Sequence, residues 1–133
     1  MATNYSTRKN TLNGTLSGLI AYVIIGSFGL YLLLRCWPDY SLASKDKSYS
    51  FEMLLSRLSI GILASLFAGI ITTKIAKDKG KSAWIVGVIV FFIAGYIHFF
   101  RVWQDYPIWY HFAYLVPIIP VTGLSPYFTR STQ

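Results

Sequence analysis

Between residues 98 and 111 the chain reads His-Phe-Phe-Arg-Val-Trp-Gln-Asp-Tyr-Pro-Ile-Trp-Tyr-His, which sets two imidazoles, a guanidinium and a carboxylate in one short stretch. Neutral imidazole ligates metals and haem, and each ring nitrogen makes one hydrogen bond as donor or acceptor. A turn near Gln104 to Tyr106 puts His98 about two helical turns before it and His111 about as far after it. The two rings then reach matched depth. Arg57 belongs to the same layer, so Arg57, His98 and His111, with Arg101, Asp105, Glu52 and Tyr110 nearer the surface, are expected to converge on one polar pocket.

Three chemistries fit such a pocket. Haem between the two imidazoles is cramped, because helices joined by a tight turn lie about 8 to 10 Å apart. A single metal ion fits better but needs Asp105, Glu52 or Cys36 to complete its ligands, so no metal site is assigned and His98 and His111 stand as the only candidate pair. A quinone or a lipid headgroup uses the same residues differently: Arg57 and Arg101 donate hydrogen bonds to an oxygen-rich head while aromatic rings cover its apolar part. The plain structural alternative is a pair of imidazoles hydrogen-bonded to neighbouring helices.

The elements that position these groups follow from where charge is missing. Marking every Asp, Glu, Lys and Arg leaves four gaps, Thr11 to Leu34 (24 residues), Leu58 to Thr73 (16), Ser82 to Phe100 (19) and Tyr106 to Thr129 (24). About 20 residues of helix cross a bilayer core, so three gaps suffice unaided. The second is completed by running back through Arg57 to Met53, because Arg lays its stem along the helix and keeps its charge near the headgroups. Spans are thus predicted at about 12–34, 53–73, 82–101 and 107–128. The fold class is an all-α membrane protein, four transmembrane helices in an antiparallel up-down bundle, forming one domain over residues 1–133. The first apolar run is too long for a secretory signal, and Leu33, Leu34, Arg35 and Cys36 lack the small residues that a signal peptidase requires, so the first helix is expected in the mature protein.

Charge gives direction. With the N-terminus cytoplasmic, that side carries Arg8, Lys9, Lys74, Lys77, Lys79, Lys81 and Arg130, seven basic residues against five (Arg35, Lys45, Lys47, Arg57 and Arg101) on the other. Both termini are therefore expected inside. Residues 74–81 and 101–105 are short connections that force neighbouring helices, whereas residues 35–52, with Pro38, several Ser and the aromatics Trp37, Tyr40, Tyr49 and Phe51, read as an external loop lying on the interface. Trp37, Trp103 and Trp109 with Tyr40, Tyr106 and Tyr110 form an aromatic belt on that side.

In lipid, helices associate through close approach of small residues. Gly14 and Gly18 in the first span, Gly61, Ser65 and Gly69 in the second, and Gly87 and Gly95 in the third are the expected contacts. Pro117 and Pro120 lie mid-span in the fourth and are expected to kink it, each removing a backbone hydrogen bond. Lys74, Lys77, Lys79 and Lys81 make a basic loop suited to anionic lipid.

Several functions are disfavoured by what the spans lack. No carboxylate lies deep in them, as proton-coupled carriers require, and the single Cys36 excludes thiol exchange within the chain. There is no phosphate-cradling loop, and the net charge of +7 sits at juxtamembrane positions rather than on a surface for nucleic acid. No catalytic set is present. The expected function is an accessory or assembly subunit that associates with lipids and with other membrane subunits or itself. A redox or quinone-linked component centred on His98, His111 and Arg57 is the alternative, and a small oligomeric channel along Gly61, Ser65 and Gly69 is a third.

Overall fold

A computed structural model describes residues 2–130, with side chains placed for residues 4–128; the side chain of Arg130, counted above with the inner charges, lies outside the described residues. All regular structure within that range is helical: α1 (Ala2–Cys36), α2 (Pro38–Asp46), α3 (Phe51–Ala76), α4 (Lys81–Phe100), a 3-10 turn at Trp103–Asp105, α5 (Ile108–Leu115) and α6 (Ile118–Arg130). Four helical stretches, Asn4–Cys36, Phe51–Ala76, Lys81–Phe100 and Ile108–Phe128, are long and apolar enough to cross a membrane. They coincide with the gaps in the charge pattern.

Capping explains where these helices start and stop. Ser50 takes an extended backbone before α3 and its Oγ accepts the Met53 N–H at 3.3 Å, satisfying one of the helix's orphan donors. Lys77, in the left-handed region at φ 56°, ends α3 by donating its N–H to the Thr73 carbonyl. Asp78 then caps α4: its carboxylate accepts from the Gly80 N–H at 3.3 Å, the Ser82 N–H at 2.9 Å and the Ser82 hydroxyl. Gly80, at φ 99°, occupies a conformation that costs a side-chain-bearing residue dearly.

Residues 35–52 correct the sequence reading, because they are not simply a loop. Pro38 at the first helical position and Asp39 in the first turn start α2, whose Tyr40 and Ala43 are buried against α1 and the start of α3. Charge gaps reveal only helices long enough to span, so a nine-residue helix was invisible to them. Its closing residues are also capped: Ser48 donates to the Asp46 carboxylate, and that bond holds the carboxyl below its usual range. The fourth span is broken at Val116–Pro117. Pro117 and Pro120 offer no N–H to the carbonyls of Ala113 and Val116. Pro120, however, falls in the first turn of α6, where a missing donor costs little, so the interruption belongs to Pro117.

Small residues bring the helices together at the end of the molecule that holds the α3–α4 connection. A Cβ on Gly14 would lie 2.6 Å from the Thr72 carbonyl oxygen, and one on Gly18 would overlap the Thr72 hydroxyl. Gly69 is covered by Ser125 and the Thr122 carbonyl, Gly87 by Ile119 and Thr122, and Gly123 by the Trp84 ring. Buried Thr72 and Ser65 satisfy their hydroxyls on the carbonyls of Ala68 and Gly61, one turn back, at 2.7 and 3.0 Å. Gly95 faces open space. The buried line of α4 is Ala83, Val86, Gly87, Val90 and Ala94, and the residue after Ala94 is turned about 100° away from it.

These contacts predict an asymmetry among glycines. Gly18→Leu and Gly69→Leu should each destabilise the detergent-solubilised protein by about 1–3 kcal/mol, as overpacking does, and Gly95→Leu should not. Thermal unfolding followed by size-exclusion chromatography checks this, and equal midpoints for all three variants would contradict it.

Candidate functional site

At the opposite end, beside α2, the helices part around a cavity of about 390 Å³. Its apolar walls come from α1 and α4, chiefly Leu19, Val23, Val90, Ile93, Ala94 and Ile97. Its polar members are Tyr22 from α1, Arg57 from α3, His98 from α4, Tyr114 from α5 and Tyr106 from the α4–α5 connection. A smaller void of about 100 Å³ shares Tyr22, Gly26, Arg57 and Tyr114 with it. Val23, Ser27, Ile93 and Ile97 are exposed, which puts the rim of this cavity on the lipid-facing side of the α1–α4 seam.

Arg57 is half-buried and held by two aromatic residues. Its Nη1 donates to the Tyr40 hydroxyl at 3.2 Å and its guanidinium lies 5.1 Å from the centre of the Tyr106 ring. Tyr40 is 0% and Tyr106 8% exposed, so neither partner leads the charge out to solvent. Burial pushes the Tyr106 phenol up, so it stays protonated and Arg57 faces a neutral ring rather than a phenolate. Arg carries five N–H donors, and the bond to Tyr40 is the guanidinium's single hydrogen bond among the described residues. No carboxylate pairs with it there either.

The histidines form a direct pair. His98 Nδ1 and His111 Nδ1 are 2.8 Å apart, the rings are perpendicular, and His111 Nε2 is 2.9 Å from the Trp103 carbonyl oxygen. A carbonyl only accepts, so with both rings neutral His111 carries its proton on Nε2 and accepts at Nδ1. His98 must then donate from Nδ1. Its Nε2 is left with the lone pair and with no hydrogen-bond partner among the described residues. Stacking holds both rings, since Trp103 lies over His111 at 4.6 Å between centroids and Tyr114 over His98 at 4.6 Å. Tyr114 is itself tied to α1 by a 2.9 Å bond to the Tyr22 hydroxyl.

The expected polar layer is therefore gathered in part. Arg57 and His98 share the cavity, whereas His111 is fully buried behind His98 and steers its tautomer. Tyr110 is buried in an aromatic and leucine cluster with its hydroxyl unpaired, and does not line the cavity. Asp105 pairs instead with Lys47 at 3.8 Å, drawn to the lysine that ends α2. Arg101 ends α4 exposed, and Glu52, five residues before Arg57, is exposed about 140° around the helix from it. Lys74, Lys77, Lys79 and Lys81 are exposed around the α3–α4 connection, far along the chain from the cavity residues. The sequence reading missed Tyr22 and Tyr114. Both are tyrosines in mid-span rather than at an interface, which is the signal that marks them.

What this arrangement can hold is limited by its geometry. No group of three or more His, Cys, Asp or Glu close enough for a metal ion occurs among the described residues. The two Nδ1 atoms are also closer than the roughly 3.3 Å expected of two nitrogens on one tetrahedral zinc. The cavity instead offers a cation with free donors, an imidazole acceptor and a phenol pair at one end of an apolar chamber. No known protein family, curated protein or solved structure matches the chain.

Proposed function

We propose that this chain is a multipass membrane protein that binds a small amphipathic molecule drawn from the lipid phase. The observation that carries this reading is the cavity of about 390 Å³ in which Arg57 and His98 stand against aliphatic walls. That volume falls within the range of small-molecule sites, and so does the combination of mostly apolar lining with a few convergent polar groups. Arg57 and His98 hold the polar head; Leu19, Val23, Val90 and Ile93 cover the apolar part; the seam between α1 and α4 is the entrance.

This ranks above assembly as the primary role, because the small residues that argued for association, all but Gly95, are engaged within the chain. Gly14 and Gly18 meet Thr72, Gly61 meets Tyr114, Gly69 meets Ser125 and Thr122, and Gly87 meets Ile119. A channel along Gly61, Ser65 and Gly69 finds the same difficulty, since Tyr114 and Ser125 cover that line and Ser65 is 1% exposed. Association with a larger complex is left to the exposed apolar face of α1, which lipid covers equally well.

The proposal includes the threading. Gly14 lies against Thr72 and Ala76, Gly18 against Thr72 and Ala68, and Gly29 against Ile60, a descending series that supports antiparallel α1 and α3. Trp84 against Gly123 and His98 against His111 support the same for α4 and the fourth span, giving an up-down-up-down bundle whose last helix kinks at Pro117. The surplus of Lys and Arg at the α3–α4 connection and the N-terminal end supports both termini on the cytoplasmic or equivalent inner side, with Lys74, Lys77, Lys79 and Lys81 near anionic lipid.

Two experiments address these points. Cys36 is the one cysteine and is exposed, so a membrane-impermeant maleimide should label it in sealed vesicles only from the face opposite terminal epitope tags; labelling from the tagged face would overturn the threading. A Cβ at Gly26 meets nothing within 4 Å, so Gly26→Leu should fill the cavity while leaving the unfolding midpoint within about 1 kcal/mol of wild type. Solvent extracts of the purified proteins, compared by mass spectrometry, should show an amphiphile retained by wild type and lost from the variant. Identical extracts would remove the binding reading.

A further inference from the structure

We infer that the molecule bound in this cavity is an anion: a single-chain amphiphile whose head carries an ionised oxygen, a carboxylate or a phosphate monoester, set against Arg57. The inference rests on the binding reading above and names its ligand class.

Arg57 is an uncompensated charge among the described residues. Guanidinium does not lose its proton in proteins, so Arg57 is a permanent cation at a wall of an otherwise apolar chamber. Charges in such places are paired, because an isolated ion out of water is costly. Yet the carboxylate nearest in the sequence to the site, Asp105, is engaged by Lys47, and Glu52 is exposed. Tyr40 and Tyr106 supply a hydroxyl and a ring face, neither of them an anion. The missing negative charge must come from what enters the cavity.

The rest of the site agrees with an acid. His98 Nε2 is an acceptor by virtue of the bonds from His98 to His111 and from His111 to Trp103, so it takes the P–OH hydrogen of a singly ionised phosphate monoester whose ionised oxygen accepts from Arg57, whereas a carboxylate, with no hydrogen to give, meets Arg57 alone. No covalent step is involved, and the head keeps its negative charge opposite Arg57. A neutral quinone presents carbonyl oxygens to Arg57 but leaves the charge unbalanced. The cavity, about 390 Å³, lies at the small end of ligand sites, which suits one alkyl chain rather than the two of a phospholipid. The lateral rim of Val23, Ile93 and Ile97 lets such a chain enter from lipid and trail into it.

The test uses the full chain in phosphatidylcholine nanodiscs, with radiolabelled laurate as the probe and 1-dodecanol, dodecyl phosphate and decylubiquinone as competitors. Saturable laurate binding, displaced by dodecanol at least tenfold more weakly than by unlabelled laurate, supports the inference. Dodecyl phosphate outcompeting laurate assigns the phosphate head; the reverse assigns the carboxylate. Arg57→Gln should weaken laurate at least tenfold, and Arg57→Lys should retain part of the affinity. Should Arg57→Gln fail to fold, the laurate-to-dodecanol ratio on wild type decides alone. Dodecanol or decylubiquinone competing as well as laurate, in a manner abolished by Gly26→Leu, would overturn the anion while leaving the cavity as a binding site. Binding of none of the four probes in a way that Gly26→Leu alters would overturn both.

Discussion

A half-buried guanidinium without an acid beside it is the constraint around which one end of this molecule is built. Half-burying Arg57 is tolerable because its surroundings are arranged for it: a hydroxyl from α2, a ring face from the α4–α5 connection, and open space on its remaining side. Each provision depends on a different element. Tyr40 reaches Arg57 because Pro38 starts a short helix directly after α1. Tyr106 is in place because the 3-10 turn at Trp103–Asp105 brings the chain back over α3. A half-buried charge with neutral partners is a weak source of stability.

The chamber itself arises from a contrast between the two ends of the bundle. Toward the α3–α4 connection, Gly14, Gly18, Gly69, Gly87 and Gly123 let backbones approach to contact, and buried Thr and Ser return their hydroxyls to their own helices. Toward α2, Tyr22, Tyr106, Tyr110 and Tyr114 make many of the contacts through their rings. Helices drawn close at one end and packed through rings at the other leave a gap where no side chain reaches, and Gly26, with nothing near it, lines that gap. The imidazole pair stiffens the same region: with Trp103 and Tyr114 stacked on it, the His98 ring has one orientation and one tautomer to present.

Much of the architecture could be read from charge spacing, because a helix in lipid must be long and nearly free of ionised groups. The matched depth of His98 and His111 also followed from counting turns on either side of one hairpin, and the two rings do meet. Three features were not legible. The helix α2 is too short to leave a gap in the charge pattern, and its cue, Pro38 followed by Asp39, is a local capping signal. Asp105 was assigned to the pocket by sequence proximity, yet its pairing with Lys47 depends on how α2 folds back. The cavity depends on α1, far away in sequence from His98, and only mid-span Tyr22 hinted that this helix has a polar partner.

The central claim, that Arg57 is balanced by an anion from the lipid phase, is tested most directly by a distance. Solid-state NMR on protein with isotope-labelled arginine, reconstituted with laurate labelled at its carboxyl carbon, reads the dipolar coupling between the guanidinium nitrogens and that carbon. The account predicts strong dephasing at ion-pair separation that vanishes in Arg57→Lys, where the labelled guanidinium is gone. Dephasing that persists unchanged in that variant, or none in the wild type at saturating laurate, would contradict it.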